Sequence, residues 1–173
     1  MFYTLTLERS LFRDACLVLL ASFLICLSGQ IAIPLWFTPV PLVTQNAVIL
    51  LTALFLGPHR AAAAVFTFLL QGALGLPVFA NGHAGIATLI GPTGGYLIGY
   101  LIAAYLTGYI AEKKNPIAAL IAGNLTIYLL GASYLATFVG LSKAFLLGIA
   151  PFILGDILKS IATLKFFHWA TRK

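Results

Sequence analysis

Hydrophobic positions in this chain fall into six long runs, at about 11–29, 42–56, 60–74, 94–111, 116–139 and 151–170, with Gly, Pro and clustered charges marking the breaks. A helix needs roughly 20 predominantly apolar residues to cross a bilayer. The pattern therefore predicts an all-α polytopic membrane protein, a bundle of six transmembrane helices forming a single domain over 1–173. The breaks alternate in character. Gly57-Pro58-His59-Arg60 and Glu112-Lys113-Lys114-Asn115 are short and charged, and Arg9, Arg13, Lys165, Arg172 and Lys173 flank the first and last runs. The segments 30–41, 75–93 and 140–150 share one basic residue, Lys143. Basic residues mark the cytoplasmic side, so both termini are expected there, with the other three segments external.

These external segments are apolar for loops. The first carries Pro34, Pro39 and Pro41 around Trp36 and Phe37, and the second is long and glycine-rich. Prolines stiffen a path, and long loops in compact domains are usually functional or disordered. The apolar content argues for ordered lids over a cavity. Arg9 and Arg13 ahead of the stretch Ala15 to Leu27 resemble a secretory leader. A cut after Gly29 would put Leu27 at −3, and Ile25 precedes Cys26, so neither leader nor lipoprotein site fits and a retained helix is expected.

Composition closes off other classes. Of 173 residues 61% are hydrophobic and 8% charged, too few charges to cover a soluble domain. The net charge of +6 sits at segment ends rather than in a stripe, so nucleic acid is not an expected partner, whereas membrane lipid is. Cys16 and Cys26 lie too far apart along one helix to bridge. No phosphate loop, H-E-x-x-H, paired-Cys metal spacing or G-x-S-x-G elbow occurs. No enzyme, metal site or cofactor is expected, and the chain is not expected to energise itself with ATP through a phosphate loop. Small residues recur every four positions at Gly91, Gly95, Gly99, Ala103 and Thr107, and again at Ala118, Ala122 and Thr126, as close helix packing in lipid requires.

Against that background the polar residues stand out. Asp156 and Lys159 lie inside the last apolar run at i and i+3, hence on one helical face. Ionisable groups at membrane depth mark substrate or ion sites by default, and Pro151 and Gly155 loosen the helix start beside them. Gln45 and Asn46 open the second run with amides that both donate and accept; a ligand contact and an interhelical bond suit them equally. Asn81 and His83 sit among glycines that would admit close approach of a ligand, or are simply exposed. Gln71, Asn124 and Ser133 are expected to join helices. Tyr96, Tyr100 and Tyr128 either line a pocket or belong to an interfacial belt.

Taken together, the blocks Ile33-Pro-Leu-Trp36-Phe37-Thr38-Pro39-Val40-Pro41, Gln45-Asn46 with Leu56-Gly57-Pro58, Gly72-Ala-Leu-Gly-Leu-Pro-Val-Phe79, Gly91-Pro-Thr-Gly-Gly-Tyr96-Leu-Ile-Gly99 and Pro151-Phe-Ile-Leu-Gly-Asp156-Ile-Leu-Lys159 resemble, in order and spacing, the BioY family of biotin-binding S-components of energy-coupling-factor (ECF) transporters. The resemblance implies a plasma-membrane vitamin-uptake subunit that captures biotin externally and works with a transmembrane coupling subunit and two ATPases. It implies Asp156 and Lys159 as polar ligand contacts, with Asn81 or His83 adding another from the third-to-fourth-helix loop. Gln45 or Asn46 would complement the ureido group, and Trp36, Phe79 or Tyr96 would pack the bicycle. Lys159 would meet either the carboxylate or the ureido end. The family's Ala-x-x-x-Ala docking stripe is missing from the first run, where Ser22 and Cys26 are the nearest small pair. The alternatives are an S-component for another vitamin, an intramembrane enzyme using Asp156, Lys159 and His83, or a purely structural partner.

Overall fold

The computed structural model describes residues 11–113 and 115–172; Arg9, Lys114 and Lys173 lie outside them. The chain is mostly helical. It runs through α1 (Leu11–Gly29), β1 (Ala32–Ile33), β2 (Leu42–Val43), α2 (Gln45–Ala73), a 3-10 turn (Ala80–Gly82), α3 (Ile86–Ile90), α4 (Gly94–Lys113), α5 (Pro116–Val139), α6 (Leu141–Gly148) and α7 (Ile153–Thr171). Among the described residues, α1, α2, α4 and α5 are long and apolar enough to cross a membrane, and α6 with α7, bent by 45°, adds a fifth crossing when taken as one.

Two predicted runs correspond to one continuous helix assignment, α2, broken at Gly57 (φ 75°) just before Pro58. The chain doubles back there. Gln45 Nε2 donates to the Ile25 carbonyl at 3.1 Å, while Ser22 Oγ and Cys26 Sγ both donate to Gln71 Oε1 at 3.3 Å. Both ends of α2 thus meet the same stretch of α1, whereas a straight helix would hold Gln45 and Gln71 about 39 Å apart. Only glycine adopts that φ without penalty, and α4 closes on the reversal. A Cβ at Gly108 would lie 2.5 Å from Pro58 N.

The segment 140–150, expected as a loop, instead contains α6. Gly140 (φ 84°) ends α5, and the run of helix formers Leu141 to Leu147 meets no proline until Pro151, so the helix restarts. Ala144 and Gly148 are its buried residues. The first external segment is pinned by a two-residue antiparallel ladder, Ala32 opposite Val43 and Ile33 opposite Leu42, a small strand element that the all-α expectation lacked.

The ridge of small residues on α4 packs as the spacing predicted. A Cβ at Gly95 would fall 2.3 Å from Tyr134 Cβ and one at Gly99 3.4 Å from Ile127 Cα, so α4 and α5 approach closely. Gln71 and Asn124 join helices as expected, Asn124 Nδ2 donating to Ser160 Oγ on α7 at 3.0 Å; Ser133 is exposed. Charges gather at the end of the bundle away from the lids, where Arg60 pairs with Asp14 at 2.8 Å, joining α2 to α1. Asn115 caps α5 there, accepting from the Ala118 amide at 2.7 Å with Pro116 in the first turn. Asn115→Ala should cost about 1 kcal/mol and lower the detergent-solubilised Tm by roughly 2–4 °C, as thermal unfolding would measure.

Candidate functional site

The first turns of α7 place Asp156 and Lys159 on one face, and that face meets the start of α2. Asp156 is 6% exposed. Its Oδ1 accepts from Asn46 Nδ2 at 3.0 Å and pairs with Lys159 Nζ at 2.5 Å, and its Oδ2 accepts from the Tyr128 hydroxyl of α5 at 2.5 Å. The Lys159 ammonium also donates to Asn46 Oδ1 and to the Val43 carbonyl, both at 2.8 Å. An ammonium has three donors, and here each has a partner. Asn46 bridges the pair, donating a hydrogen bond to the carboxylate and accepting one from the ammonium, which fixes the orientation of its amide. A buried charge needs this degree of pairing.

Beside the network lies a cavity of about 30 Å³, walled by Tyr96, Tyr100, Ile127 and Phe152 and bounded by Val40 and Pro41 of the first lid. Side-chain bonds stitch the roof together. Thr38 Oγ1 donates to the Leu147 carbonyl at 2.8 Å and Tyr96 Oη to the Gly148 carbonyl at 2.8 Å, tying the first lid and α4 to α6. Gln30 Nε2 donates to the Pro77 carbonyl at 3.1 Å, tying the first lid to the second.

Of the residues singled out from sequence, Asp156, Lys159, Asn46 and Tyr96 come together around this cavity. The other predicted ligand contacts sit elsewhere. Gln45 is buried against the Ile25 carbonyl. Phe79 is packed edge-on against Phe68, with ring centroids 5.4 Å apart. Trp36 is 96% exposed on the lid surface. Asn81 stands exposed in the left-handed region (φ 57°) of the 3-10 turn, and His83 Nδ1 lies 2.7 Å from the Ala80 carbonyl. Tyr100 and Tyr128, whose facing the sequence left open, both line the cavity. The Val43 carbonyl had no sequence signal, because every residue carries one. Among the described residues no group of three or more His, Cys, Asp or Glu could hold a metal ion.

Chemically, the site offers one strong acceptor, one cation, one amide of both kinds and aromatic walls. It suits a small, partly apolar guest with N–H donors and a carbonyl or carboxylate. A multi-helix membrane protein with such a site under closed lids falls in the class of solute-handling membrane components. The chain belongs to the BioY family, whose model matches residues 4–172. It is 41% identical over 148 residues to the probable biotin transporter BioY of Pyrococcus horikoshii, covering 86% of this chain and 90% of that protein. It is likewise 41% identical over 143 residues to the biotin transporter BioY of Thermotoga maritima, covering 80% and 83%. In three dimensions it is similar to the crystal structure of the S-component for biotin from an ECF-type ABC transporter, with a TM-score of 0.79, 27% identity, and coverage of 94% of this chain and 92% of that one.

Proposed function

We propose that this chain is the biotin-binding S-component of an ECF-type uptake transporter, a single domain that captures biotin at the outer face of the plasma membrane. The observation that carries the reading is the closed network of Asp156, Lys159, Asn46 and Tyr128 beside an aromatic-walled cavity, in a chain of this family. Biotin's ureido N–H groups match the Asp156 carboxylate, its ureido carbonyl matches the Asn46 amide or the Lys159 ammonium, and its bicycle suits Tyr96 and Tyr100. Its relatives are transporters and the chain is not an enzyme; His83 lies on the lid, away from Asp156 and Lys159.

The reversal at Gly57 and the bend between α6 and α7 support six crossings. Arg13, Arg60, Lys113 and Arg172 at the end opposite the lids support a cytoplasmic placement of both termini. With no phosphate loop of its own, the chain would draw energy from a coupling subunit and two ATPases. Ser22 and Cys26 face Gln71, so this pair would not supply a docking ridge for the coupling subunit.

A cavity of 30 Å³ holds about one water, far less than biotin occupies. Capture therefore involves displacement of the roof bonds, and the guest takes over the partners that Asp156 and Lys159 now find in the protein. Purified protein should retain radiolabelled biotin saturably at one site per chain, with unlabelled biotin competing better than other vitamins. Retention that never saturates, or a different vitamin winning the competition, overturns the reading. Tyr128→Phe keeps the ring and removes one donor to Asp156; biotin affinity should change by roughly three- to tenfold, read by equilibrium titration.

A further inference from the structure

The helix that carries the acid and the base is the least embedded of the long helices. Within α7 only Asp156 and Thr163 are buried, and a groove of about 220 Å³ lined by Ile117, Ile121, Ile153, Ile157 and Ile161 separates it from α5. On its other side α7 is held to β2 and α2 by the bonds of Asp156 and Lys159 to Asn46 and Val43, which a guest would contest, and by Phe55 against Phe166 and Phe167 lower down. A helix turns by 100° per residue, so a rotation of α7 would carry Asp156 and Lys159 out of the cavity.

Two side-chain bonds span the gap. The upper one joins Tyr128 to Asp156, and the lower joins Asn124 Nδ2 to Ser160 Oγ at 3.0 Å. Asn124 precedes Tyr128 by four residues and Ser160 follows Asp156 by four, so on antiparallel helices the two bonds stack as successive rungs. The Asn124 amide also donates to its own Leu120 carbonyl at 2.9 Å, which aims its second N–H at Ser160. The rungs differ in one respect. The upper rung ends on Asp156, which a guest engages, whereas Asn124 and Ser160 face the groove and are not among the residues lining the cavity.

We propose that Asn124 and Ser160 are positioning residues, a clasp between α5 and α7 that sets the rotation of α7 and keeps Asp156 and Lys159 aimed into the cavity while ligand displaces the upper rung. This rests on the reading of the cavity as the biotin site.

The test compares Asn124→Ala, Ser160→Ala, their double variant and Ser160→Thr, the last retaining the hydroxyl beside a groove with room for one more methyl. Each is purified as folded protein and titrated with biotin, with stoichiometry and dissociation rate recorded. The single Ala variants should bind one biotin per chain roughly three- to tenfold more weakly and release it faster. The double variant should be no weaker than either, and Ser160→Thr should bind as the parent does. Native affinity with only a lowered Tm means simple helix glue and overturns the proposal, as do additive losses in the double variant. Hydrogen exchange of α7 amides without ligand gives a separate readout. Faster exchange in Ser160→Ala with no biotin binding by the parent would sink the functional reading but leave the clasp standing; unchanged exchange sinks the clasp.

Discussion

Asp156→Asn is expected to abolish biotin retention, weakening binding by more than roughly a hundredfold. The substitution keeps the shape and removes the charge, leaving the Lys159 ammonium at membrane depth with neutral oxygens alone, those of Asn46 and Val43 among them, and no countercharge. Removing one partner of a buried ion pair costs about 3–5 kcal/mol, which corresponds to at least a hundredfold in an equilibrium constant. The same loss should appear in thermal unfolding. Adding Lys159→Gln removes the orphaned charge, so the double variant should regain most of the stability and none of the binding. That split separates a ligand site from a structural ion pair. Near-native affinity in Asp156→Asn would end the proposed role of this carboxylate.

A marked effect on folding, with the binding site untouched, is expected at Gly108. An added Cβ would lie 2.5 Å from Pro58 N, 2.6 Å from Gly57 C and 2.7 Å from Pro58 Cα. All three are backbone atoms of the tight reversal in α2, where Gly57 sits at φ 75°, so no side chain can swing aside. Overpacking of this kind costs about 1–3 kcal/mol, and Gly108→Ala should lower Tm by roughly 3–10 °C, with Gly108→Val worse. Gly155→Ala is the control. Its added carbon meets only Leu42 Cδ1 at 3.6 Å, and alanine favours a helix interior over glycine, so its Tm should hold or rise. Equal losses at both positions would refute the close contact between α4 and the reversal.

Much of this architecture is legible in the chain because its punctuation is local. Asn115-Pro116 and Gly140 bound the fifth run, and α5 spans the same residues, 116–139. Gly57-Pro58 marks a reversal inside what would otherwise read as one apolar stretch. The helix α6 was missed because an apolar run between Gly140 and Pro151 offers no internal sign that distinguishes a lid from a helix. The short ladder between 32–33 and 42–43 escapes for the same reason, being defined by partners distant in sequence. In the site, Asp156, Lys159 and Asn46 were conspicuous because polar groups in apolar runs need partners. Tyr128 and Tyr100 were ambiguous, since an aromatic side chain suits a pocket wall and a lipid interface equally well. In the glycine-rich lid, Asn81 and His83 are exposed and do not line the cavity. They belong to a turn whose conformation, not its composition, decides what it presents.

The salt link of α7 also bears on membrane voltage. Moving one elementary charge across a bilayer potential involves about 2.3 kcal/mol per 100 mV. Asp156 and Lys159 travel on one helix, one turn apart and opposite in sign, so the field does almost no net work on that pair when it shifts. The charges that would grip a guest would then leave the pocket itself indifferent to whether the cell is energised or depolarised.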